Sequence, residues 1–417
     1  MVIDRYMPMD NVRKIRKEKG LYFILEHEKS DGSRNGRIAV FVNLYYPDMV
    51  EYCLKYLVRL DQKIDIYIAS SNKDVLSKAD NYISRHGTKN IRLLEKNNRG
   101  RDVSALLVTF RYIALQYDFF CFIHDKKERK IERKADVDLW VRNLWDNTLA
   151  SQHYVDNVMS VFEKNSQIGL LVPPEPIGED THTWYTNSWD SNFEHTTDLA
   201  NRLKLNCNIS YENAPVTIGT VFWSRSLALK KLLEIDWKFD DFMQEPMPVD
   251  GTLSHAVERI FAYVAQDAGY DTGTIMTAPY AAQELAIAQE QMYKSYQILN
   301  KYFGIGSLRD LVRLDVNHEK IISFCQEHPS TLLYGAGTIA QSALAILGLL
   351  GFVPQGFLVT DKRTSPKDIR GIPVMGIDEL IFQEGMGIII SVNSALQEQI
   401  IAELEKRGIT EYLALAW

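Results

Sequence analysis

The feature that most constrains the fold of this chain is a regular alternation of apolar, β-rich runs with helical segments between residues 37 and 124. RIAVFVNLYY and KIDIYIAS are rich in β-branched and aromatic residues, whereas PDMVEYCLKYLVRL spaces its apolar residues at helical intervals. The predicted strands cover 37–46, 63–70, 90–97 and 119–124, and the predicted helices cover 47–60, 74–86 and 103–117. This alternation predicts a parallel sheet with helical crossovers, an α/β fold of the Rossmann type.

A second, smaller unit of the same kind is predicted near the end of the chain. STLLYGAGTIAQSALAILGLLGF (330–352) has the order strand, glycine turn and helix, and PQGFLVTD (354–361) follows as the next strand. A length of 417 residues allows two or three domains. The predicted divisions are a basic N-terminal segment at 1–36, a main α/β domain at 37–290, a helical linker at 291–327 and a Rossmann-like βαβ domain at 328–417.

Composition excludes several classes of protein. The net charge of −7 argues against nucleic acid as the main partner. The four cysteines are scattered without a CxxC pair, so they indicate neither a zinc site nor a disulfide framework and fit a reducing compartment. The first residues lack the apolar stretch of a signal peptide, and the longest apolar run, 343–353, is too short to span a bilayer. We therefore predict a cytoplasmic protein.

Two segments, 1–37 and 126–134, carry an excess of Lys and Arg over Asp and Glu. Such runs are often solvated helix faces. Alternatively, they form a surface that binds anionic lipid head groups or a phosphate-rich substrate.

Titratable side chains follow the fourth predicted strand without an intervening turn residue. FFCFI (119–123) has the pattern of a buried strand, and His124–Lys127 follow it directly. The polar run Asn97–Asp102 follows the third strand in the same way. Ligands of open α/β sheets bind at the carboxyl ends of the parallel strands, so both runs predict a ligand site at one edge of the sheet.

The C-terminal unit contains a second candidate site at its glycine turn. Gly335 and Gly337 occupy two glycine positions of the dinucleotide-binding fingerprint, and Asp361 ends the next strand, where an acid binds a ribose hydroxyl. The turn would present main-chain N–H groups to an anion. Similar turns also occur in Rossmann-like units without a ligand, so nucleotide or NAD binding here stays one of two alternatives.

The motifs of the main domain resemble those of the rhamnan synthesis protein F family, which takes part in bacterial cell-wall and capsular polysaccharide assembly. The resemblance extends over about residues 37–275 and leaves the C-terminal unit outside. Its motifs are Tyr45-Tyr46-Pro47, Asn98 with Gly100-Arg101-Asp102, Tyr117-Asp118 with His124-Asp125-Lys126-Lys127, Gly219 to Arg225, and Asp250 to Arg259. The family implies a GT-A-like glycosyltransferase domain at 37–290 that uses a nucleotide sugar, dTDP-rhamnose as first choice and a UDP-sugar as second.

The resemblance also implies roles for individual residues. The predicted donor-binding residues are Asn98, Gly100, Arg101, Asp102, His124, Asp125, Lys126 and Lys127. The predicted sugar- or acceptor-binding residues are Trp184, Trp189, Gly219, Thr220, Trp223 and Arg225. The tryptophans would stack on sugar faces. For Trp223 a place in the hydrophobic core is an equal alternative.

The strand end His124-Asp125-Lys126-Lys127 stands where such enzymes carry Asp-x-Asp, and it offers a single acid. Asp125 with His124 could hold Mg²⁺ or Mn²⁺ through water and phosphate oxygens. Alternatively, Lys126 and Lys127 neutralise the leaving diphosphate directly. We favour the second alternative.

An inverting transfer needs a group that takes the proton of the acceptor hydroxyl. The candidates are Asp250, His255 and Glu258, with Asp250 as first choice and His255 as second. His255 and Glu258 are three residues apart and therefore lie on one face of a helix. Glu258 beside Arg259 is also compatible with an ordinary helical ion pair.

These predictions combine into a glycosyltransferase that adds rhamnose, or another deoxy or furanose sugar, to a growing and lipid-linked polysaccharide. Its partners would be the nucleotide sugar, the glycan acceptor, an anionic membrane surface at the cytoplasmic face and other polysaccharide-assembly enzymes. Two alternatives from other classes remain at this stage. One is a nucleotide- or NAD-dependent sugar-modifying enzyme centred on Gly335–Asp361, and the other is a non-catalytic scaffold of a polysaccharide synthesis complex.

Overall fold

The structure of the protein is a computed structural model. It describes residues 2–4, 21–28, 36–127, 134–174, 189–211, 217, 219–248, 250–305 and 307–415. The chain divides into two compact units, Met1–Leu285 and Ala286–Trp417. Among the described helices, none combines the length and the apolar character needed to cross a membrane.

The first unit is built on a nine-stranded sheet in the order β1-β2-β9-β7-β8-β6-β3-β4-β5. The strands are β1 (Val2–Asp4), β2 (Leu21–Leu25), β3 (Ile38–Asn43), β4 (Asp65–Ser70), β5 (Ile91–Glu95), β6 (Phe119–His124), β7 (Ile168–Val172), β8 (Phe222–Arg225) and β9 (Asp271–Thr277). β3 pairs in parallel with both β4 and β6, and β4 pairs in parallel with β5. The predicted α/β fold with a parallel-rich sheet is therefore confirmed, and the carboxyl ends of these four strands lie at one edge.

The longer helices of the described chain belong partly to the first unit and partly to the second. They are α1 (Val50–Leu57), α2 (Lys73–His86), α3 (Lys134–Leu149), α4 (Gln152–Lys164), α5 (Phe193–Leu203), α6 (Leu253–Asp267), α7 (Ala278–Phe303), α8 (Leu308–Glu327), α9 (Thr338–Leu349) and α10 (Ser394–Lys406). The predicted helix at 103–117 is a shorter segment in which Ala105–Phe110 has π-helical geometry. Pi-helical turns are frequent next to functional sites.

Alternate residues of the central strands pack into two hydrophobic cores, one on each face of the sheet. Val40 and Val42 of β3 belong to one core, whereas Ala39 and Phe41 belong to the other. Because successive strand residues point to opposite faces, a strand that is apolar on both faces is covered by helices on both. Burial of both faces of the sheet explains why the strand sequences are apolar at nearly every position.

The segment 1–36, predicted as a basic N-terminal segment, contributes β1 and β2 to the sheet. β2 pairs in parallel with β9, with Tyr22 opposite Thr274 and Leu25 opposite Thr277. LYFIL is a β-favourable run whose sheet partner lies some 250 residues away in the sequence, so its pairing has no local signal.

The second unit contains a six-stranded sheet in the order β12-β13-β11-β10-β14-β15. Its strands are β10 (Ser330–Tyr334), β11 (Gly356–Val359), β12 (Asp368–Ile369), β13 (Ile372–Gly376), β14 (Met386–Ile390) and β15 (Tyr412–Ala414). All pairs except β12 with β13 are parallel. The strand order reverses on the two sides of β10, as in Rossmann-like folds.

Candidate active site

The carboxyl ends of β3, β4, β5 and β6 border a cavity of about 710 Å³. Many of the residues predicted from the sequence line it together: Asn98, Arg101, Asp102, His124, Asp125, Lys126, Lys127, Gly219, Thr220, His255 and Glu258. They come from four separate parts of the chain. The parallel strands bring two of these parts, after β5 and after β6, to one edge of the sheet. Gly219 and Thr220 precede β8, which pairs antiparallel with β6 and therefore begins at the same edge.

Asp125 joins the ends of two neighbouring strands at the floor of this cavity. Its carboxylate accepts hydrogen bonds of 2.8–3.0 Å from the main-chain N–H groups of Tyr45 and Tyr46, which follow β3. The side chain is buried, with 5% of its surface exposed. Burial raises the pKa of Asp125 to about 6, although the hydrogen bonds from Tyr46 and Tyr45 oppose the shift. Asp125 therefore fixes the turn after β3 by accepting hydrogen bonds from its main-chain N–H groups.

His124 ends β6, and both nitrogens of its ring face main-chain carbonyl oxygens. Nδ1 lies 2.8 Å from the oxygen of Asp125, and Nε2 lies 2.7 Å from that of Gly219. A carbonyl oxygen only accepts, so both contacts are hydrogen bonds when both ring nitrogens carry a proton. The Asp102 carboxylate lies 3.9 Å from Nε2. The His124 ring is thus held between main-chain groups of Asp125 and Gly219.

The end of β6 does not have the donor atoms of a divalent-cation site. Both carboxylate oxygens of Asp125 and both ring nitrogens of His124 already contact main-chain groups. In the part of the chain that the structure describes, no group of three or more His, Cys, Asp or Glu side chains is arranged to hold a metal ion. The alternative in which Asp125 and His124 bind Mg²⁺ or Mn²⁺ does not fit this arrangement.

The two lysines after Asp125 line the cavity with different partners. The Lys126 ammonium lies 3.1 Å from the centroid of the Trp140 ring, a cation–π contact. Lys127 forms an ion pair with Asp48, and this hydrogen bond lowers the pKa of Asp48. Lys126 and Lys127 thus place two cationic groups among the side chains that line the cavity.

The segment after β5 carries the next group of predicted residues. Asn98 accepts a hydrogen bond of 2.9 Å from the Ser71 hydroxyl, and Arg101 forms a 2.7 Å ion pair with Glu245. This ion pair lowers the pKa of Glu245. Arg101 has a φ of 47°, which is a strained left-handed conformation for a residue with a side chain.

Gly100 does not line the cavity, contrary to the prediction. It has a φ of 69°, and a Cβ atom at this position would lie 2.6 Å from the Phe242 ring. Its role in the structure is to let the segment after β5 approach the buried Phe242.

Helix α6 forms the opposite wall with His255 and Glu258. Glu258 accepts a hydrogen bond from the main-chain N–H of Gly219. Thr220, the residue after Gly219, has a strained φ of 46°. His255 Nδ1 lies 2.8 Å from Thr252 Oγ1. Burial lowers the pKa of His255 below its ordinary value, against the attraction of Glu258 and Asp250. The imidazole is therefore neutral at physiological pH, and no described group bonds its Nε2.

Asp250, the first choice for the base, does not line the cavity. Its carboxylate accepts hydrogen bonds from the main chain and hydroxyl of Ser191 and from the Asn192 amide. Burial raises its pKa, but these hydrogen bonds outweigh that effect and hold the pKa of Asp250 below its usual range. A carboxylate so firmly ionised and so fully bonded anchors the loop at 189–192 and is a poor proton acceptor.

Two of the three tryptophans predicted to stack on sugars, Trp189 and Trp223, cannot do so in this structure. Trp189 and Trp223 are fully buried in the two cores, so no sugar can reach their rings. Arg225 is directed away from the cavity and donates to the carbonyl oxygens of Ile168 and Phe162. Trp184 lies outside the described residues.

The glycine turn of the second unit leads into α9, with Gly337 directly before the helix. Gly335 donates its N–H to the carbonyl oxygen of Leu358. The Asp361 carboxylate accepts hydrogen bonds of 2.8–2.9 Å from the main chain and guanidinium of Arg363. Asp361 thus pairs with its own neighbour Arg363, and its contact with a ribose hydroxyl stays a prediction.

Several residues of the cavity were not predicted from the sequence. They are Asn43, Tyr45, Tyr46, Ser71, Lys96, Val103, Glu245, Pro246, Met247 and Ser254. The strand-end rule would have found Ser71, because it follows the predicted strand 63–70. Asn43 and Lys96 lie inside the predicted strands 37–46 and 90–97, and only the shorter strands of the structure place them at strand ends. Glu245 and Met247 belong to an irregular segment without such a signal.

Sequence comparison places this region of the chain in a known protein family. The sequence profile of the family described as Rhamnan synthesis protein F matches residues 8–270. Two relatives, the WxcX proteins of two strains of Xanthomonas campestris pv. campestris, are 24% identical over 263 residues. The match covers 63% of this chain and 35% of each relative, so the chain spans about a third of their length.

A search of solved structures finds a distant likeness to the mannosyltransferase PcManGT from Pyrobaculum calidifontis in complex with GDP-Man and Mn²⁺. The sequence identity is 12%, the TM-score is 0.34, and the likeness covers 60% of this chain and 59% of that one. The family assignment rests on the sequence profile, which spans more than half of the chain and contains the whole cavity. This chain belongs to the rhamnan synthesis protein F family.

Proposed function

We propose that this protein is a GT-A-type glycosyltransferase that transfers a sugar from a nucleotide sugar to a polysaccharide, with dTDP-rhamnose as the first-choice donor. The observation that carries the proposal is the cavity at the carboxyl ends of β3–β6, where cationic groups face a neutral histidine on α6. Membership of the rhamnan synthesis protein F family supports the same class of reaction.

The donor diphosphate would lie between the strand ends. Lys126 supplies positive charge there, and charge-assisted hydrogen bonds to phosphate are stronger than neutral ones. They would stabilise the charge that develops on the leaving diphosphate as the bond to the sugar C1 breaks. Asp102, on the same wall, is suited to accept hydrogen bonds from ribose or sugar hydroxyls.

His255 would act as the general base. With its Nδ1–H donated to Thr252, Nε2 keeps a lone pair that accepts the proton of the acceptor hydroxyl. The hydroxyl oxygen then forms the new bond to C1, and the nucleoside diphosphate leaves with the electron pair of the old bond. The protonated His255 returns its proton to solvent.

Nucleotide binding tests the site. We expect dTDP or UDP to raise the melting temperature of the wild type equally with Mg²⁺ and with EDTA, because cationic side chains replace the metal. Asp102→Ala should lose the shift. Asp80→Ala, which removes an exposed acid of α2, should keep it. If NAD alone binds, and Gly337→Asp abolishes its binding, the active site is in the second unit and the proposal is wrong.

The acceptor would be a lipid-linked glycan, which places the protein at a membrane surface. The basic run 126–134 lies beside the cavity in sequence, although most of it is outside the described residues. We expect the protein to sediment with anionic vesicles at low salt and to be released at high salt, since such attraction is screened. Equal recovery with neutral vesicles would contradict this.

A further inference from the structure

Lys96 is a buried lysine at the floor of the cavity. It directly follows β5, and its main-chain N–H donates to the carbonyl oxygen of Ser70 at 3.0 Å. Only 8% of the residue is exposed, and that part borders the cavity. Lysine is almost never buried to this degree unless its ammonium group is paired.

The ammonium group of Lys96 has no protein partner in the described part of the chain. No hydrogen bond or ion pair within 4.0 Å involves it there, and its nearest aromatic ring, Phe239, has its centroid 5.9 Å away. Asp102 attracts it from beyond ion-pair distance. An ammonium group has three hydrogens to donate, and a burial of this degree leaves the cavity as the place from which they can be accepted.

The other carboxylates of the elements packed around Lys96 are already engaged. Asp240 is paired with Arg99, and Asp241 accepts from the main-chain N–H of Lys238. Glu95, its neighbour in sequence, lies 3.8 Å from the exposed Lys73. Because the described residues supply no acceptor for Lys96, its ammonium hydrogens can be accepted only by water or by a ligand in the cavity.

We propose that Lys96 is an anion-binding subsite that donates hydrogen bonds to phosphate oxygens of the bound nucleotide sugar. The inference rests on the proposed function, and it assigns a specific group to the donor phosphates. A free phosphate and the diphosphate of a nucleotide share this chemistry, so the test includes both. Lys96 contacts the bound anion and takes no part in proton transfer to the acceptor.

Binding at this subsite is linked to proton uptake. Burial lowers the pKa of Lys96 to about 8, against the attraction of Asp102. At pH 8.5 roughly three quarters of the side chain is then neutral, and a bound phosphate restores the charge by drawing a proton from the buffer. At pH 6.5 the side chain is already charged, so binding takes up almost no proton.

Calorimetry of dTDP binding in two buffers of different ionisation enthalpy measures this uptake. For the wild type we expect uptake of about 0.5–0.8 proton per dTDP at pH 8.5, where the phosphates of dTDP are fully ionised, and no uptake at pH 6.5. Lys96→Met should bind dTDP about tenfold more weakly without proton uptake at pH 8.5. Lys96→Arg keeps the charge at every pH, so it should bind dTDP without proton uptake at pH 8.5. Lys73→Met, at an exposed site, should behave like the wild type.

Ligands of graded charge identify the phosphate. Thymidine should bind the wild type and Lys96→Met equally, whereas dTMP or dTDP should lose affinity at the step that adds the contacted phosphate. Inorganic phosphate that competes with dTDP only in the wild type would also support the subsite. Lys96→Met should melt at or above the wild-type temperature, because it removes an unpaired buried charge.

The outcomes separate this inference from the proposed function. If the wild type binds dTDP without proton uptake at pH 8.5, and Lys96→Met binds equally well, the subsite is refuted while the transferase proposal stands. Should Lys96→Met fail to fold, the wild-type proton count and Lys96→Arg still decide the question. If the wild type binds no nucleoside diphosphate, both proposals fail.

Discussion

Replacement of His255 by alanine is expected to lower kcat for sugar transfer by about 10²- to 10⁴-fold, the usual contribution of a general base. Nucleotide affinity should stay within about threefold of the wild type, because His255 belongs to α6 and not to the strand ends at which the diphosphate is proposed to bind. The measurement is a steady-state assay of nucleotide release, combined with dTDP binding by calorimetry.

Controls for His255 come from the same chain. His195→Ala, an exposed histidine on α5, should leave kcat unchanged. Thr252→Val removes the partner of Nδ1 and should lower kcat several-fold with little change in KM. A kcat of His255→Ala within threefold of the wild type, together with a large loss in a folded Asp250→Asn, would move the base to Asp250.

The pH dependence of kcat follows from the direction of the His255 shift. The base must be neutral, and burial lowers the pKa of His255 below its ordinary value of 6.5. The rate should therefore be flat above about pH 6.5 and fall as the pH drops through the lowered pKa. His255→Ala should lose this acid limb, whereas a limb that persists in the variant would belong to another group.

Gly100→Ala is expected to destabilise the first unit by about 2–5 kcal/mol. Two costs add. A left-handed φ of 69° costs an alanine about 1–2 kcal/mol. The new Cβ, 2.6 Å from the buried Phe242 ring, adds an overpacking cost of about 1–3 kcal/mol. Urea unfolding followed by tryptophan fluorescence reports on this unit, since six of the seven tryptophans belong to it.

Gly87→Ala is the matched control because it has the same conformation without the contact. Gly87 has a φ of 63°, and a Cβ there would have nothing within 4 Å. We expect it to cost only the conformational part, about 1–2 kcal/mol. Equal losses in the two variants would show that Phe242 yields freely, and they would refute the close-packing role of Gly100.

Much of the candidate site was predictable because its residues follow the ends of parallel strands, and strands can be recognised from the local sequence. The apolar runs that end at Asn43, Ser70 and His124 identify parallel strands, and parallel strands align their carboxyl ends. Asp102, His124 and Lys126 were found in this way. Residues such as Glu245, which belongs to an irregular segment, carry no comparable pattern.

The errors concern residues whose role depends on what surrounds them. Trp189 and Trp223 have the composition of a sugar platform, yet both lie in the core. Asp250 is close to His255 in sequence, but its carboxylate is bonded to Ser191 and Asn192. A sequence pattern records residue type and spacing, whereas burial and hydrogen-bond partners depend on distant segments.

By itself, the sequence determined the α/β class, the two Rossmann-like units and the edge at which polar groups collect, because periodicity and strand-end chemistry are local properties. Only the contacts of the folded chain show that Asp125 fixes the turn after β3. They also show that, among the described residues, none bonds Nε2 of His255 and none pairs with the buried ammonium group of Lys96. Solvation and hydrogen bonding set these roles, and both arise only when residues far apart in the chain come into contact.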